Sequence, residues 1–206
     1  MTQIWMQRAF KPVKASTPRW MSNFIRSLGT AVLTPFLFSR RTGHWKSSFA
    51  MMALSSGGTA IPWYTYPCID FLKFRNFDNK TVLEFGAGQS TLWWAQKASR
   101  VIALEGDEDW LRRLKPEVPA NADVHLVPVG SASACVDGVN RILADYPDMR
   151  FDVVVIDGLW RDEMIDIAAR VVKDDGIVIC DNAESFGFFE GFKSRDFQRV
   201  DFFGHA

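Results

Sequence analysis

No aspartate or glutamate occurs before Asp70. A segment of that length without acid cannot build internal ion-pair networks, and its charge has one sign only. Cysteine is scarce: Cys68, Cys135 and Cys180 are odd in number and far apart. That excludes a disulfide framework and any zinc-ligand spacing, and fits a reducing, cytosolic setting. No apolar run approaches the roughly 20 residues of a membrane span. The h-region and small-residue cleavage pattern of a signal peptide are also missing. No Gly-Lys-Ser/Thr tripeptide occurs, so a Walker phosphate loop is excluded. The three histidines, His44, His125 and His205, are scattered. His125 reads as structural, and the other two could act as a base only if the fold brings them in. There are no repeats and no low-complexity stretches.

The zero net charge hides an asymmetry. Residues 1–69 carry eight Lys or Arg, leaving 16 basic and 24 acidic residues for the other 137, a balance of −8. This divides the chain into a basic arm with helical segments, residues 1–59, and a domain over residues 60–206. Eight charges over 69 residues form no dense cluster, which argues against nucleic acid. Within the arm, Trp20, Phe24, Ile25 and Leu28 fall near one helical face with Arg26 elsewhere, and Pro35 is expected to break this stretch before Arg40-Arg41. The arm could touch an anionic bilayer peripherally, giving a cytoplasmic, membrane-associated protein. It could equally fold onto the domain or onto a second subunit as a homodimer.

The most informative stretch is Val82-Leu83-Glu84-Phe85-Gly86-Ala87-Gly88-Gln89-Ser90-Thr91. An apolar strand ends in an acid, a two-glycine turn follows, and Ser90 or Thr91 can cap the next helix. Gly86 and Gly88 let backbone approach a ligand closely. Seventeen residues past Gly88, Val101-Ile102-Ala103-Leu104-Glu105 ends in a second acid, placed to hold two ribose hydroxyls. Strand, glycine loop, helix, strand and acid make a nucleoside-binding half-sheet. A dinucleotide fingerprint would need a third glycine where Thr91 stands. Glu84 would repel a pyrophosphate and suits a ligand with a cationic amino-acid part, which disfavours a nucleotide-dependent oxidoreductase.

On these residues the chain resembles the class I S-adenosylmethionine-dependent methyltransferases, whose first motif reads acid, any residue, Gly, any residue, Gly. The resemblance spans about residues 60–200 and implies a doubly wound, mostly parallel Rossmann-like α/β sheet. The pattern agrees, with strands expected at 80–85, 100–105, 124–129, 151–157, 177–181 and 197–203. Helices are expected at 67–75, 90–98, 107–114, 132–145, 161–173 and 187–193. The family adds a further, antiparallel strand after the sixth. Here the sequence stops at Gly204-His205-Ala206, so the sheet would have six strands, or the arm or a partner would fill the gap, or the chain is truncated.

The resemblance implies S-adenosylmethionine held by Glu84, Gly86, Ala87, Gly88, Ser90, Thr91, Glu105 and Gly106, with Gly130 and Ser131 near the adenine. Asp157 would complete this set. Asp157 and Asp181 at adjacent strand ends are the catalytic candidates. With Asn182 they look like the Mg²⁺ site of catechol and caffeoyl-CoA type O-methyltransferases, in which the metal acidifies the acceptor hydroxyl. The same acids could instead bond the cofactor or backbone and cap the next turn. Arg161 could fork onto an anionic substrate group or pair with Asp157 or Asp162. Trp63, Tyr64 and Tyr66 could wall the substrate or plug the core. The expected activity is methylation of a hydroxyl on a small molecule or glycan. The alternative is a non-catalytic cofactor-binding or scaffold module of the same fold.

Overall fold

The computed structural model describes residues 18–205. The chain divides into two compact units at Thr59–Ala60. In the first, α1 (Arg19–Thr42) runs on through Pro35, and Gly43 separates it from α2 (His44–Ala50). The expected break at Pro35 is therefore absent. Proline removes one backbone donor and crowds the preceding turn, but this helix buries no residue, so its backbone has room to adjust.

The second unit runs α3 (Tyr66–Lys73), β1 (Thr81–Phe85), α4 (Gln89–Ala95), β2 (Arg100–Glu105), α5 (Glu108–Leu114), β3 (Ala122–Leu126) and α6 (Ala132–Leu143). It continues with β4 (Phe151–Ile156), α7 (Met164–Val171), β5 (Val172–Cys180) and α8 (Phe188–Lys193). The five strands form one parallel sheet in the order β3-β2-β1-β4-β5. The doubly wound, Rossmann-like architecture expected from the alternation is present. Every residue of β4 is buried, as a central parallel strand covered on both faces requires. Alternation along β1 sends Leu83 and Phe85 into a core with Val139, Met164, Ile167 and Phe188. Val82 and Glu84 point to the other face, where Trp94 stacks edge-on with Phe77 and Trp93.

Three strand expectations need correction. The fifth strand begins at Val172 rather than 177, directly after α7. The third strand begins and ends earlier than 124–129, because Pro128 has no amide to extend the ladder; Val127 makes its last bond, to the Glu105 carbonyl. Residues 197–203 form no strand. Their bonding goes instead to the start of α3: Thr65 Oγ1 donates to the Phe202 carbonyl, and the Tyr66 amide donates to the His205 carbonyl. Phe202 meets Phe71 at 5.1 Å and Phe197 meets Phe192 at 5.0 Å, so aromatic contacts hold this segment rather than sheet pairing.

Candidate active site

The strand order reverses between β1 and β4, and the loops leaving their carboxyl ends meet there. Gly86 sits at φ +103°, and a Cβ on it would lie 2.9 Å from the Gly158 amide nitrogen and 3.0 Å from the Asp157 carbonyl. Gly158 faces the same limit, with Gly86 nitrogen 3.0 Å from its missing Cβ. The two glycines thus let the loops touch backbone to backbone.

Beside this contact, Glu84 is 0% exposed, and neither carboxylate oxygen has a hydrogen-bond partner. Burial drives its pKa up to about 8; the nearby Thr91 and Ser90 hydroxyls offset part of the shift, and Asp157 adds to it. Thr91 and Ser90 are themselves buried. Thr91 Oγ1 accepts from the Gly88 amide at 3.0 Å, closing the turn into α4. Tyr64 is buried too: its hydroxyl accepts from Trp94 Nε1 at 3.3 Å, and burial followed by Glu84 raises its pKa well above the usual phenol value.

Glu105 is fixed by three amides. Its Oε2 accepts from Ala87 at 2.9 Å, and its Oε1 accepts from Gly106 at 2.7 Å and Asp107 at 2.8 Å. The second acid therefore ties the glycine loop to the turn after β2 and keeps about one lone pair, on Oε2, for a ligand hydroxyl. Trp110, which the sequence reading passed over, covers this loop and donates from Nε1 to the Ala87 carbonyl at 2.8 Å. Trp160 was passed over as well. It sits at φ +54° and donates to the Val129 carbonyl at 3.1 Å, next to Gly130, whose Cβ position is open. Ser131 caps α6 by accepting from the Ala134 amide.

At the ends of β4 and β5, the ladder runs one residue further and sets Asp157 beside Asp181. Arg161 occupies the space between them. Its guanidinium donates to Asp157 Oδ1 at 2.8 Å, Asp181 Oδ2 at 3.1 Å and Asn182 Oδ1 at 2.9 Å, and to the carbonyls of Asp157, Gly158 and Asp181. The ring of Phe186 lies 5.1 Å from its carbon. Burial and the neighbouring Asp181 raise Asp157 to about 7, and Arg161 opposes the shift.

This arrangement does not support the Mg²⁺ expectation. Asp157, Asp181 and Asn182, the residues expected as ligands, each have an oxygen that accepts from one side-chain cation, Arg161. Among the described residues, no group of three or more His, Cys, Asp or Glu is placed to hold a metal. Arg161 likewise has its donors committed internally, so it has no free fork for an anionic substrate. Trp63 is half-exposed, whereas Tyr64 and Tyr66 are buried. Trp63 and Tyr64 line a broad cleft that reaches Asp157, Asp181 and Asn182 and continues along β5. His125 bonds the Tyr146 hydroxyl at 3.1 Å, away from the site. The Cys68 thiol is pushed up to about 11 by burial, with help from Asp181, and is not a nucleophile at neutral pH.

Sheet order, strand direction and a glycine loop at the switch point fit a doubly wound, Rossmann-like fold. Among solved structures, the chain is similar to a precorrin-6y C5,15-methyltransferase from Geobacter metallireducens GS-15. The two share 19% identity over 64% of this chain and 71% of that one, with a TM-score of 0.48. No family model and no curated protein matches the chain.

Proposed function

We propose that residues 60–206 bind S-adenosylmethionine and transfer its methyl group to a hydroxyl of a small molecule or glycan. The carrying observation is Glu84, a fully buried carboxyl with no partner, held protonated beside a glycine loop. A buried carboxyl that is unsatisfied costs stability, and a bound cation would relieve that cost. Asp157, which is paired with Arg161, lies close enough to add to the upward shift of Glu84. An amino-acid ligand bearing an ammonium group would meet the demand of Glu84, whereas a pyrophosphate brings no cation to it.

Each remaining role belongs to a residue of this chain. Glu105 accepts from a ribose hydroxyl with its spare Oε2 lone pair while its three amide bonds keep the loop in place. Trp110 and Trp160 offer aromatic walls on either side of Gly106 and Gly130. Bound there, S-adenosylmethionine would supply an electrophilic methyl group for transfer to the acceptor oxygen. The acceptor's proton goes to Asp157, whose pKa of about 7 suits a general base. Arg161 holds both carboxylates in place and opposes the upward shift of Asp157.

Calorimetric titration with S-adenosylhomocysteine tests the reading. Micromolar binding that is unchanged by EDTA supports it, and no binding refutes it. Binding without turnover of any hydroxyl acceptor would favour a cofactor-binding module over an enzyme.

A further inference from the structure

The first unit carries a surface that the proposed activity does not use. Trp20, Phe24, Leu28, Val32 and Phe36 recur every fourth residue along α1, and all five are exposed. The row continues into an aromatic cluster, with Phe36 6.4 Å from Trp45 and Trp45 stacked on Phe49 at 6.0 Å. Phe49 is 83% exposed. Of the twenty exposed large hydrophobic residues among the described ones, eleven lie in residues 20–51. At helical spacing, Arg19, Arg26 and Arg41 fall on the side opposite the row, where Leu33 and Leu37 are the apolar exceptions, and Arg40 ends the row one turn past Phe36. No acid occurs anywhere in residues 1–69 to pair with them.

From this we infer that α1 and α2 bind the surface of an anionic lipid bilayer, lying in the interface rather than crossing it. No helix among the described residues is long and apolar enough to cross a membrane. A 24-residue helix lying flat extends about 36 Å and presents its whole apolar row to the acyl boundary. The arginines then sit at headgroup level, where lipid phosphates supply the anions that the segment itself lacks. Aromatic rings at both ends of the row suit the same polar–apolar boundary. A second copy of the segment is a poorer occupant, because it would cover the apolar row but leave the arginines without an anion.

The test is co-sedimentation of the full chain with phosphatidylcholine vesicles, with and without phosphatidylglycerol. Binding should require phosphatidylglycerol and weaken as salt rises. The double substitution Arg40→Gln/Arg41→Gln should cut the partition coefficient on the order of thirtyfold. Leu28→Asp should remove binding by placing a charge in the apolar row. Both sites are exposed, and the arginine pair reads the electrostatic contribution even if Leu28→Asp perturbs the helix. Absence of binding to anionic vesicles overturns the inference. So does equal, salt-insensitive binding to both vesicle types. Self-association that Leu28→Asp abolishes, without vesicle binding, would assign the face to a second copy and likewise overturn it.

Discussion

Two acids on neighbouring parallel strands, Asp152 near the start of β4 and Glu84 near the end of β1, are both buried and are treated in opposite ways. Asp152 accepts from Lys80 at 2.9 Å, Lys173 at 2.8 Å, and both the amide and the hydroxyl of Thr81. Burial alone would push its carboxyl up, but these four donors hold it well below the usual carboxylate range. Glu84 has no lysine or amide donor, only the Thr91 and Ser90 hydroxyls nearby, and burial raises its pKa to about 8. One end of the sheet is closed for stability. The other keeps an unmet electrostatic demand, and unmet demands of that kind cluster where ligands bind.

Substitutions at both ends should separate these roles. Gly86→Ala should have the largest effect, destabilising by about 4 kcal/mol, because it adds a strained positive φ to a backbone clash with Gly158. Urea unfolding would measure it, and a small change would mean the loops do not need their contact. Asp152→Ala should cost about 2 kcal/mol by leaving the Thr81 amide without its acceptor, with cofactor affinity nearly unchanged. Because folding lowers the Asp152 pKa, its contribution is present above pH 3.8 and is lost as pH falls further.

Glu84→Gln should have the opposite sign. Folding raises this carboxyl from 4.5 to about 8, so the native state holds its proton more tightly than the unfolded chain does. Ionisation then opposes folding: the penalty is absent below pH 4.5, grows as pH rises and is complete above about 8. The glutamine variant should gain about 2 kcal/mol over wild type at alkaline pH and nothing in acid, while cofactor affinity falls at least about tenfold. Thermal melts across that range would check the crossover. Gly88→Ala should disturb the fold least, by less than about 1 kcal/mol. Its φ of −178° suits any residue, and its nearest foreign atom, on Trp110, is 3.9 Å from the Cβ position. A loss of cofactor affinity with intact stability would mark Gly88 as the glycine kept for the ligand.

Much of the fold was legible in the sequence, because local signals carried it. The alternation of β1 and β2, the apolar run of β4, and the acidic first turn of α5 each follow from residues a few positions apart. The segment at 197–203 misled because its apolar residues read as a strand, while its actual partners, Thr65, Tyr66 and Phe71, lie more than a hundred residues upstream. The glycine loop and Glu105 were legible as a motif. The role of Arg161 was only half legible: its spacing from Asp157 suggested a pair, but nothing local showed that it also reaches Asp181 and Asn182 across the strand ends. Trp110 and Trp160 carried no signal, since an indole's reach to a distant carbonyl leaves no pattern along the chain.

The central claim is that Glu84 waits for a cation. Calorimetric titration of S-adenosylmethionine near neutral pH, repeated in two buffers of different ionisation enthalpy, would test it most directly. A ligand ammonium facing Glu84 should ionise the carboxyl, so binding should release roughly one proton, and Glu84→Gln should abolish most of that release. Binding with no proton released, or with the same release in the glutamine variant, would contradict the account.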